Sequence, residues 1–174
     1  MDRNVAIKVL IVAFSLFMIL GCEQRPNRIE DLSHKIRTVS YSVENTIKIT
    51  RIELDGVFGR DEALFFFRAY QEMYKILRKV AIYFPDDQQR VYFVLKVHLQ
   101  NVYDGKPRDR VVLEVPFSMS EVRKVKFYSS SRWDLLNSSG GIKYAHPIGR
   151  NIIRSFCAES SYQKHAAKFC LTAL

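Results

Sequence analysis

The clearest pattern of apolar and polar positions in this chain runs from Arg90 to Phe117. Apolar and polar residues alternate along both halves of the segment, and Asp104-Gly105 supplies turn residues between them. Alternation with period two is typical of a β-strand, and a Gly-containing break between two such runs predicts a hairpin. The apolar phase consists of Val91, Phe93, Leu95, Val97 and Leu99, then Val111, Leu113, Val115 and Phe117. This face needs a covering layer.

A weaker alternation from Ile36 to Leu54 predicts two further strands, with a turn at Glu44-Asn45. The β-branched residues of this stretch favour strands that are buried on one side only. Asp55-Gly56 is expected to end the second strand.

A helical period appears from Arg60 to Ile82, where apolar residues recur every three or four positions and charged residues occupy the other face. This spacing predicts one long amphipathic helix, ended by Pro85. Its aromatic stripe is interpreted as the face that packs on the sheet, although a ligand groove would carry the same spacing.

The remainder of the chain predicts short elements. Ser118 to Lys126 and Trp133 to Leu136 fit short helices, with Ser118 or Ser120 as an N-cap of the first, and Ser138 to Gly141 fits a break. Residues 150–159 and 161–171 predict two C-terminal helices. The predicted fold class is therefore α+β, with a small, mainly antiparallel sheet packed by one long helix and a short helical C-terminal region.

The N-terminus follows a different pattern. Arg3 and Lys8 precede an apolar run of 12 residues from Val9 to Leu20, and Gly21-Cys22 follows directly. A basic start, a short apolar segment and a small residue before a cut are the layout of an export signal. Ending that layout on Gly-Cys resembles the lipobox of bacterial lipoproteins. The resemblance covers residues 1–22 and implies cleavage before Cys22 and diacylglyceryl attachment to its sulfur.

Three consequences of the lipobox interpretation concern location and domains. Residues 1–21 are expected to be a signal peptide, 22–33 a lipidated tether and 34–174 a single α+β domain. Glu23 stands where an Asp tends to retain such proteins in the inner membrane, so the resemblance implies the outer membrane of a bacterial envelope, facing the periplasm or the surface. The alternative is an uncleaved membrane anchor, but the apolar run is shorter than the roughly 20 residues of a spanning helix.

Cysteine usage changes the expectation for the C-terminus. With Cys22 assigned to lipid, Cys157 and Cys170 remain in a compartment where disulfides persist. We therefore predict a Cys157–Cys170 bridge that pins the two C-terminal helices to each other. Two free thiols or a metal pair are the alternatives.

Charge limits the class of partner. The chain carries 27 Lys plus Arg against 18 Asp plus Glu, and removal of Arg3, Lys8 and Asp2 leaves 25 against 17, a balance of +8. Export argues against nucleic acid. Another envelope protein, an anionic envelope polymer or the membrane that holds the lipid anchor are the expected partners, although a basic surface can also serve solubility alone.

Recognisable catalytic motifs are scarce. Ser161 and Lys164 match a Ser-x-x-Lys pattern, but the other motifs of penicillin-binding enzymes are absent and one such match arises by chance at this composition. His98 lies in the polar phase of a predicted strand and is interpreted as a surface residue. No catalytic residue, cofactor or metal site is predicted.

Two basic segments are the candidate interaction surfaces. They are the hairpin tip, with Lys106, Arg108 and Arg110, and a later mixture of cations and aromatic residues, with Arg123, Lys124, Lys126, Arg132 and Trp133. The expected function is non-catalytic protein interaction or assembly within a secretion, conjugation or surface-assembly machine. An exclusion, inhibitor or binding lipoprotein that recognises an incoming protein or envelope polymer is the alternative, and an envelope enzyme is the third.

Overall fold

The structure is a computed structural model, and it describes residues 25–55, 61–85, 89–100, 106–127 and 132–174. The strands are β1 (Ile36–Glu44), β2 (Ile47–Leu54), β3 (Arg90–Gln100), β4 (Pro107–Ser118) and β5 (Lys143–Tyr144). The helices are α1 (Glu62–Tyr83), α2 (Met119–Val122), α3 (Arg132–Asn137), α4 (Pro147–Ala158), α5 (Ser160–Gln163) and α6 (Ala167–Ala173), and a 3₁₀ helix at Ile29–Leu32 precedes β1.

The five strands form one sheet in the order β1-β2-β3-β4-β5. Strands β2 and β3 are parallel and the other three pairs are antiparallel. The parallel pair arises because α1 lies between β2 and β3 in the chain, and a parallel connection needs such a crossover. The predicted α+β class is confirmed, with a mainly antiparallel sheet and one long helix. Strand β5 was not predicted.

Helix α1 begins where the sequence provides a cap. The side chain of Asp61 accepts a hydrogen bond from the backbone N–H of Leu64 at 2.7 Å, which satisfies one of the free donors of the first turn. The predicted face is buried, with Phe66, Tyr70 and Met73 fully enclosed. The aromatic stripe is thus a core face. The predicted first residue, Arg60, lies outside the described residues.

The core lies between α1 and one face of the sheet. Three cross-strand rows build this sheet face: Thr50 with Val91 and Phe117, Ile52 with Phe93 and Val115, and Leu54 with Leu95 and Leu113. All nine residues are at most 1 % exposed. The three rows therefore form a continuous buried layer under the helices.

Strands β1 and β2 form the predicted hairpin, but Glu44 belongs to β1 and the turn is one residue later than predicted. The turn residues are Asn45 and Thr46, both of which have positive φ angles. Two successive positive φ values are what a two-residue hairpin turn of the right twist requires. The expectation that β1 is half-buried is wrong at its outer half, because Tyr41 is 58 % and Val43 is 68 % exposed. Strand β1 is an edge strand that extends past the helical layer.

A β-bulge in β4 corrects the predicted phase of the second hairpin. Leu95 pairs with Leu113 but Lys96 pairs with Val111, so Val112 is the extra residue of β4. Beyond the bulge the alternation reverses, and Val111 joins the face opposite the core. Val112, which was predicted to point away from the core, is fully buried. The predicted loop at Asp104-Gly105 lies outside the described residues.

The C-terminal region differs from the prediction in its boundaries. Helix α4 begins at Pro147, because His146 caps it and proline is well suited to a first helical position. The predicted second helix is two helices, α5 and α6, separated by residues 164–166. Cys157 and Cys170 form the predicted disulfide, with Cα atoms 5.7 Å apart. Phe156 meets Phe169 with ring centroids 6.0 Å apart, as expected for packed helices.

The predicted tether overlaps the folded body. Ile29 and Leu32, in the 3₁₀ helix, are 2 % and 4 % exposed and belong to the hydrophobic core. Residues 29–32 are therefore packed, although the sequence pattern assigned them to a tether that ends at residue 33. A run of only four residues is too short to reveal a helical period.

Candidate interaction surface

The face of the sheet opposite the core carries charged side chains. Its cross-strand rows place Arg51 beside Tyr92 and Pro116, and Glu53 beside Val94 and Glu114. These positions are the second phase of the same period-two alternation that buries the core residues. We call this face, with its ion pairs, the charged sheet face.

Arg51 is the centre of the first ion-pair network on the charged sheet face. Its Nη1 lies 2.9 Å from Oε2 of Glu114, and its Nη2 lies 3.8 Å from Oε1 of Glu44. The Glu114 carboxylate also lies 3.9 Å from Nζ of Lys143. The side chains of Arg51 and Glu114 are only 30 % and 22 % exposed, so solvent screens this pair less than an isolated surface pair.

Tyr92 is held between two cations at the centre of the same face. The guanidinium carbon of Arg51 lies 4.9 Å from the ring centroid and Nζ of Lys143 lies 5.2 Å from it. Both distances suit cation–π attraction. Tyr92 is only 6 % exposed, although it lies on the face of the sheet opposite the core.

A second network lies toward the hairpin end of the charged sheet face. Arg37 contacts Asp109 at 2.5 Å and Glu53 at 3.6 Å, and Lys96 contacts Glu53 at 2.7 Å. His98 contributes Nδ1, 2.9 Å from Oδ1 of Asp109. The hydrogen bonds from His98 and then Arg37 lower the pKa of the Asp109 carboxyl, and the hydrogen bond to Asp109 raises the pKa of Arg37. Both shifts favour the charged forms of Asp109 and Arg37.

A shallow cleft of about 330 Å³ adjoins Tyr92. It is lined by Arg90, Lys143, the backbone of Gly140 and Gly141, and the hydroxyl-bearing Ser118. Gly141 has a φ of +88°, a conformation that favours glycine. These groups can bind an anionic or polar segment by hydrogen bonds and charge.

A second cleft, of about 440 Å³, lies between the 3₁₀ helix and α1. Glu72 accepts a hydrogen bond from Ser33 at 2.5 Å and one from Lys75 at 3.2 Å. Burial is the largest influence on Glu72 and raises its pKa, but the hydrogen bonds from Ser33 and Lys75 and the nearby positive charges together lower the net pKa. Lys79 donates to the carbonyl of Leu32 at 3.1 Å. These polar bonds hold the 3₁₀ helix to α1.

The two predicted basic segments lie at opposite ends of β4. Lys106, Arg108 and Arg110 are exposed at the start of the strand, next to the hairpin loop. Arg123, Lys124 and Lys126 are exposed just beyond α2, which follows the other end of β4. The eight residue steps of β4 from Arg110 to Ser118 span roughly 27 Å at about 3.4 Å per step, so the two segments do not form one surface.

Trp133 and Arg132 differ in their exposure. Arg132 is exposed, whereas the Trp133 ring is half-buried and stacks on His165, with centroids 5.6 Å apart, and on Phe67 at 5.9 Å. The ring belongs to an aromatic cluster on the helical side and not to the second basic segment. Nearby, burial raises the pKa of Tyr70, whose hydroxyl donates to the carbonyl of Arg132.

The remaining predicted residues are easily placed. Ser161 and Lys164 are both exposed. His98 is also exposed, as its polar phase predicted. Cys22 and the signal segment lie outside the described residues.

Within the part of the chain that the structure describes, no cluster of three or more His, Cys, Asp or Glu side chains is arranged for a metal ion. A search of the same residues finds no helix that is both long and apolar enough to cross a membrane. Comparison with protein-family models, with curated proteins and with solved structures finds no match to this chain.

Sequence reasoning missed the charged sheet face as a unit. The polar phase of β3 was visible, but the pairing of Arg51 with Glu114 depends on strand order. These residues are 63 positions apart and meet because β2 and β4 both flank β3. One chain alone carries no signal for that order.

Proposed function

We propose that this protein is a lipid-anchored bacterial envelope protein whose folded body binds another envelope protein without catalysis, as a component of a secretion, conjugation or surface-assembly machine. The charged sheet face is the observation that supports this proposal best. A sheet usually buries both faces or leaves a polar face in water. On the charged sheet face, Arg51 and Lys143 both contact the ring of Tyr92. Arg and Tyr are enriched in protein interfaces.

Preorganisation supports the proposal further. Side chains already held by ion pairs lose less conformational freedom when a partner arrives. Arg51 and Glu114 are fixed in this way, and Lys143 completes a positive side of the network. Complementary charge would give the partner its register and raise its association rate.

Site-specific photo-crosslinking in living cells tests the proposal. A photoreactive residue at Ser40, which pairs with Arg51 and is exposed on the charged sheet face, should give a specific adduct with one envelope protein. The same residue at Leu171, which is 85 % exposed on the helical side, serves as the matched control. Adducts at Leu171 but none at Ser40 would assign binding to the other side of the molecule.

A charge exchange separates binding from folding. The double variant Arg51→Glu/Glu114→Arg keeps an ion pair at the same place but reverses its direction. The exchanged charges oppose Glu44 and Lys143, so we expect a lower unfolding temperature with the fold retained. The Ser40 adduct should fall at least tenfold, because interface charges oppose a partner of the wrong sign. An unchanged adduct would exclude Arg51 and Glu114 from recognition.

The second candidate is a recognition protein that engages an incoming protein or an envelope polymer. The specific observation in its favour is the exposed hairpin end, where Lys106, Arg108 and Arg110 lie. Hairpin ends held by a rigid sheet commonly carry recognition residues. Reversal of these three charges should abolish activity in a deletion strain under this alternative and leave the Ser40 adduct intact.

A further inference from the structure

Arg25 lies at the C-terminal end of α1. The guanidinium of Arg25 donates to the carbonyl of Tyr83, the last residue of α1, at 3.3 Å. Arg123 donates to the carbonyl of Pro85, two residues further along the chain. The first described residue and the second basic segment therefore meet at the C-terminal end of α1.

The sheet places the remaining basic residues of that segment at the same end. Ser118 pairs with Arg90, and the backbone N–H of Met119 donates to the carbonyl of Gln89 at 3.0 Å. Lys124 and Lys126 follow within a few residues and are exposed. We call the group Arg25, Arg123, Lys124 and Lys126 the basic end.

Chain length restricts where an anchor at Cys22 can lie. Three residue steps separate Cys22 from Arg25, and an extended chain spans at most about 3.6 Å per step. A lipid on Cys22 would thus attach within about 11 Å of Arg25. Pro107, in contrast, pairs with Gln100 at the far end of β3, whose ten steps from Arg90 to Gln100 span roughly 34 Å.

We propose that the basic end docks on the anionic phospholipid headgroups of the membrane that holds the anchor. This inference rests on the proposed lipid anchor and adds the orientation of the body. Headgroup attraction acts within about one Debye length, roughly 8 Å at physiological salt, so it reaches the end that the tether holds close and not the hairpin end. The hairpin end and the far part of the charged sheet face then point away from the bilayer.

The charge balance of the basic end includes acidic groups. Glu121 contacts Lys124 at 2.6 Å and partly neutralises it. Asp86 and Asp87 follow Pro85 and lie outside the described residues. The effect of the basic end on the membrane is therefore measured on the intact protein, with these acidic groups present.

Lysine reactivity of the intact lipidated protein tests the orientation. The protein is reconstituted into phosphatidylcholine vesicles with and without phosphatidylglycerol, and a membrane-impermeant amine reagent is applied. Mass spectrometry then reads each lysine. We expect Lys124 and Lys126 to react about tenfold more slowly in the anionic vesicles, and high salt to remove this protection. Lys106, at the far end, should react equally in both.

Paired variants identify the charges responsible. Arg123→Glu/Lys126→Glu keeps Lys124 as the reporter and should abolish its protection, whereas Arg108→Glu/Arg110→Glu should leave that protection unchanged. Thermal unfolding confirms that each variant folds. Equal reactivity of Lys124 in the two vesicle types, or equal protection of Lys106, would overturn the proposed orientation.

The intact mass of the protein distinguishes failure of the orientation from failure of the lipid anchor. A protein that carries the lipid but shows no protection refutes the orientation alone. A protein without lipid on Cys22 refutes the anchor, and the orientation with it.

Discussion

Glu72 is a carboxylate whose side chain is only 15 % exposed. It lies on α1 and joins the 3₁₀ helix to the body through Ser33. Burial by itself would raise its pKa above 4.5, but the hydrogen bonds from Ser33 and Lys75 and the nearby positive charges together lower it. A carboxylate with a lowered pKa in the folded state stabilises the fold above its unfolded pKa. That contribution is lost as the pH falls through the lowered pKa.

The change Glu72→Gln should remove this pH-dependent contribution. At neutral pH we expect a loss of about 1 kcal/mol in the free energy of unfolding, because a charged hydrogen bond becomes a neutral one. The difference from wild type should shrink as the pH falls below 4.5 and the wild-type carboxyl takes up a proton. Denaturant unfolding at a series of pH values measures it.

Glu121→Gln is the matched control for Glu72→Gln. Glu121 also has a lysine three residues later, at 2.6 Å, but its side chain is 46 % exposed. Exposed pairs of this kind contribute little, so the substitution should change the free energy of unfolding by under about 0.5 kcal/mol. A Glu72→Gln variant that behaves like this control throughout the pH series would contradict the structural role of Glu72.

At the scale of elements, the closest backbone approach involves Gly149 of α4 and the bulge of β4. A Cβ on Gly149 would lie 2.2 Å from the carbonyl oxygen of Val112 and 2.9 Å from Cδ2 of Leu113. That same Val112 carbonyl accepts a hydrogen bond from Ala145 at 3.1 Å. Glycine is therefore required for α4 to pack on the bulge.

Gly149→Ala should destabilise the protein by about 2 kcal/mol or more, because overpacking against a fixed backbone forces the helix away from β4. In an unpacked helix the same change would stabilise by about 1 kcal/mol, so the sign itself is diagnostic. Gly140→Ala is the control, since its Cβ would meet only Pro116 Cγ, at 3.7 Å. The unfolding temperatures of both variants are compared with that of the wild type. A Gly149→Ala protein that is more stable than the wild type would contradict the packing of α4 on β4.

The helices and strands also show which parts of the fold can be predicted from the local sequence pattern. Long periodic stretches predicted α1 and the β3–β4 hairpin because one face of each is buried over much of its length. The bulge at Val112 reverses the alternation of β4, and no residue near it in the sequence predicts a bulge. The pairing of β5 with β4 covers only two residue pairs, too few for a period. The separation of Trp133 from the basic residues near it depends on which side of the fold α3 faces.

At the scale of the whole molecule, both predicted basic segments are exposed but lie at opposite ends. Charge composition alone predicted a basic surface, but it does not place the basic residues, whose separation arises because β4 lies between the two segments. The two ends have different surroundings if the anchor holds one of them near the bilayer. Separate partners for the two ends are then expected, with headgroups at one and protein at the other.

Membrane association should depend on Cys22. The described residues contain no helix able to span a bilayer, and a basic end alone gives an attraction that salt screens. We therefore expect Cys22→Ser protein to take up no clickable palmitate analogue and to accumulate as an uncleaved precursor, whereas wild type is labelled. Cys157→Ser/Cys170→Ser is the control for loss of a thiol and should keep the label while losing the disulfide. Unchanged labelling of Cys22→Ser would contradict the lipobox interpretation. If neither wild type nor Cys22→Ser protein is labelled and both stay with the membrane at high salt, an uncleaved anchor before residue 22 is favoured instead.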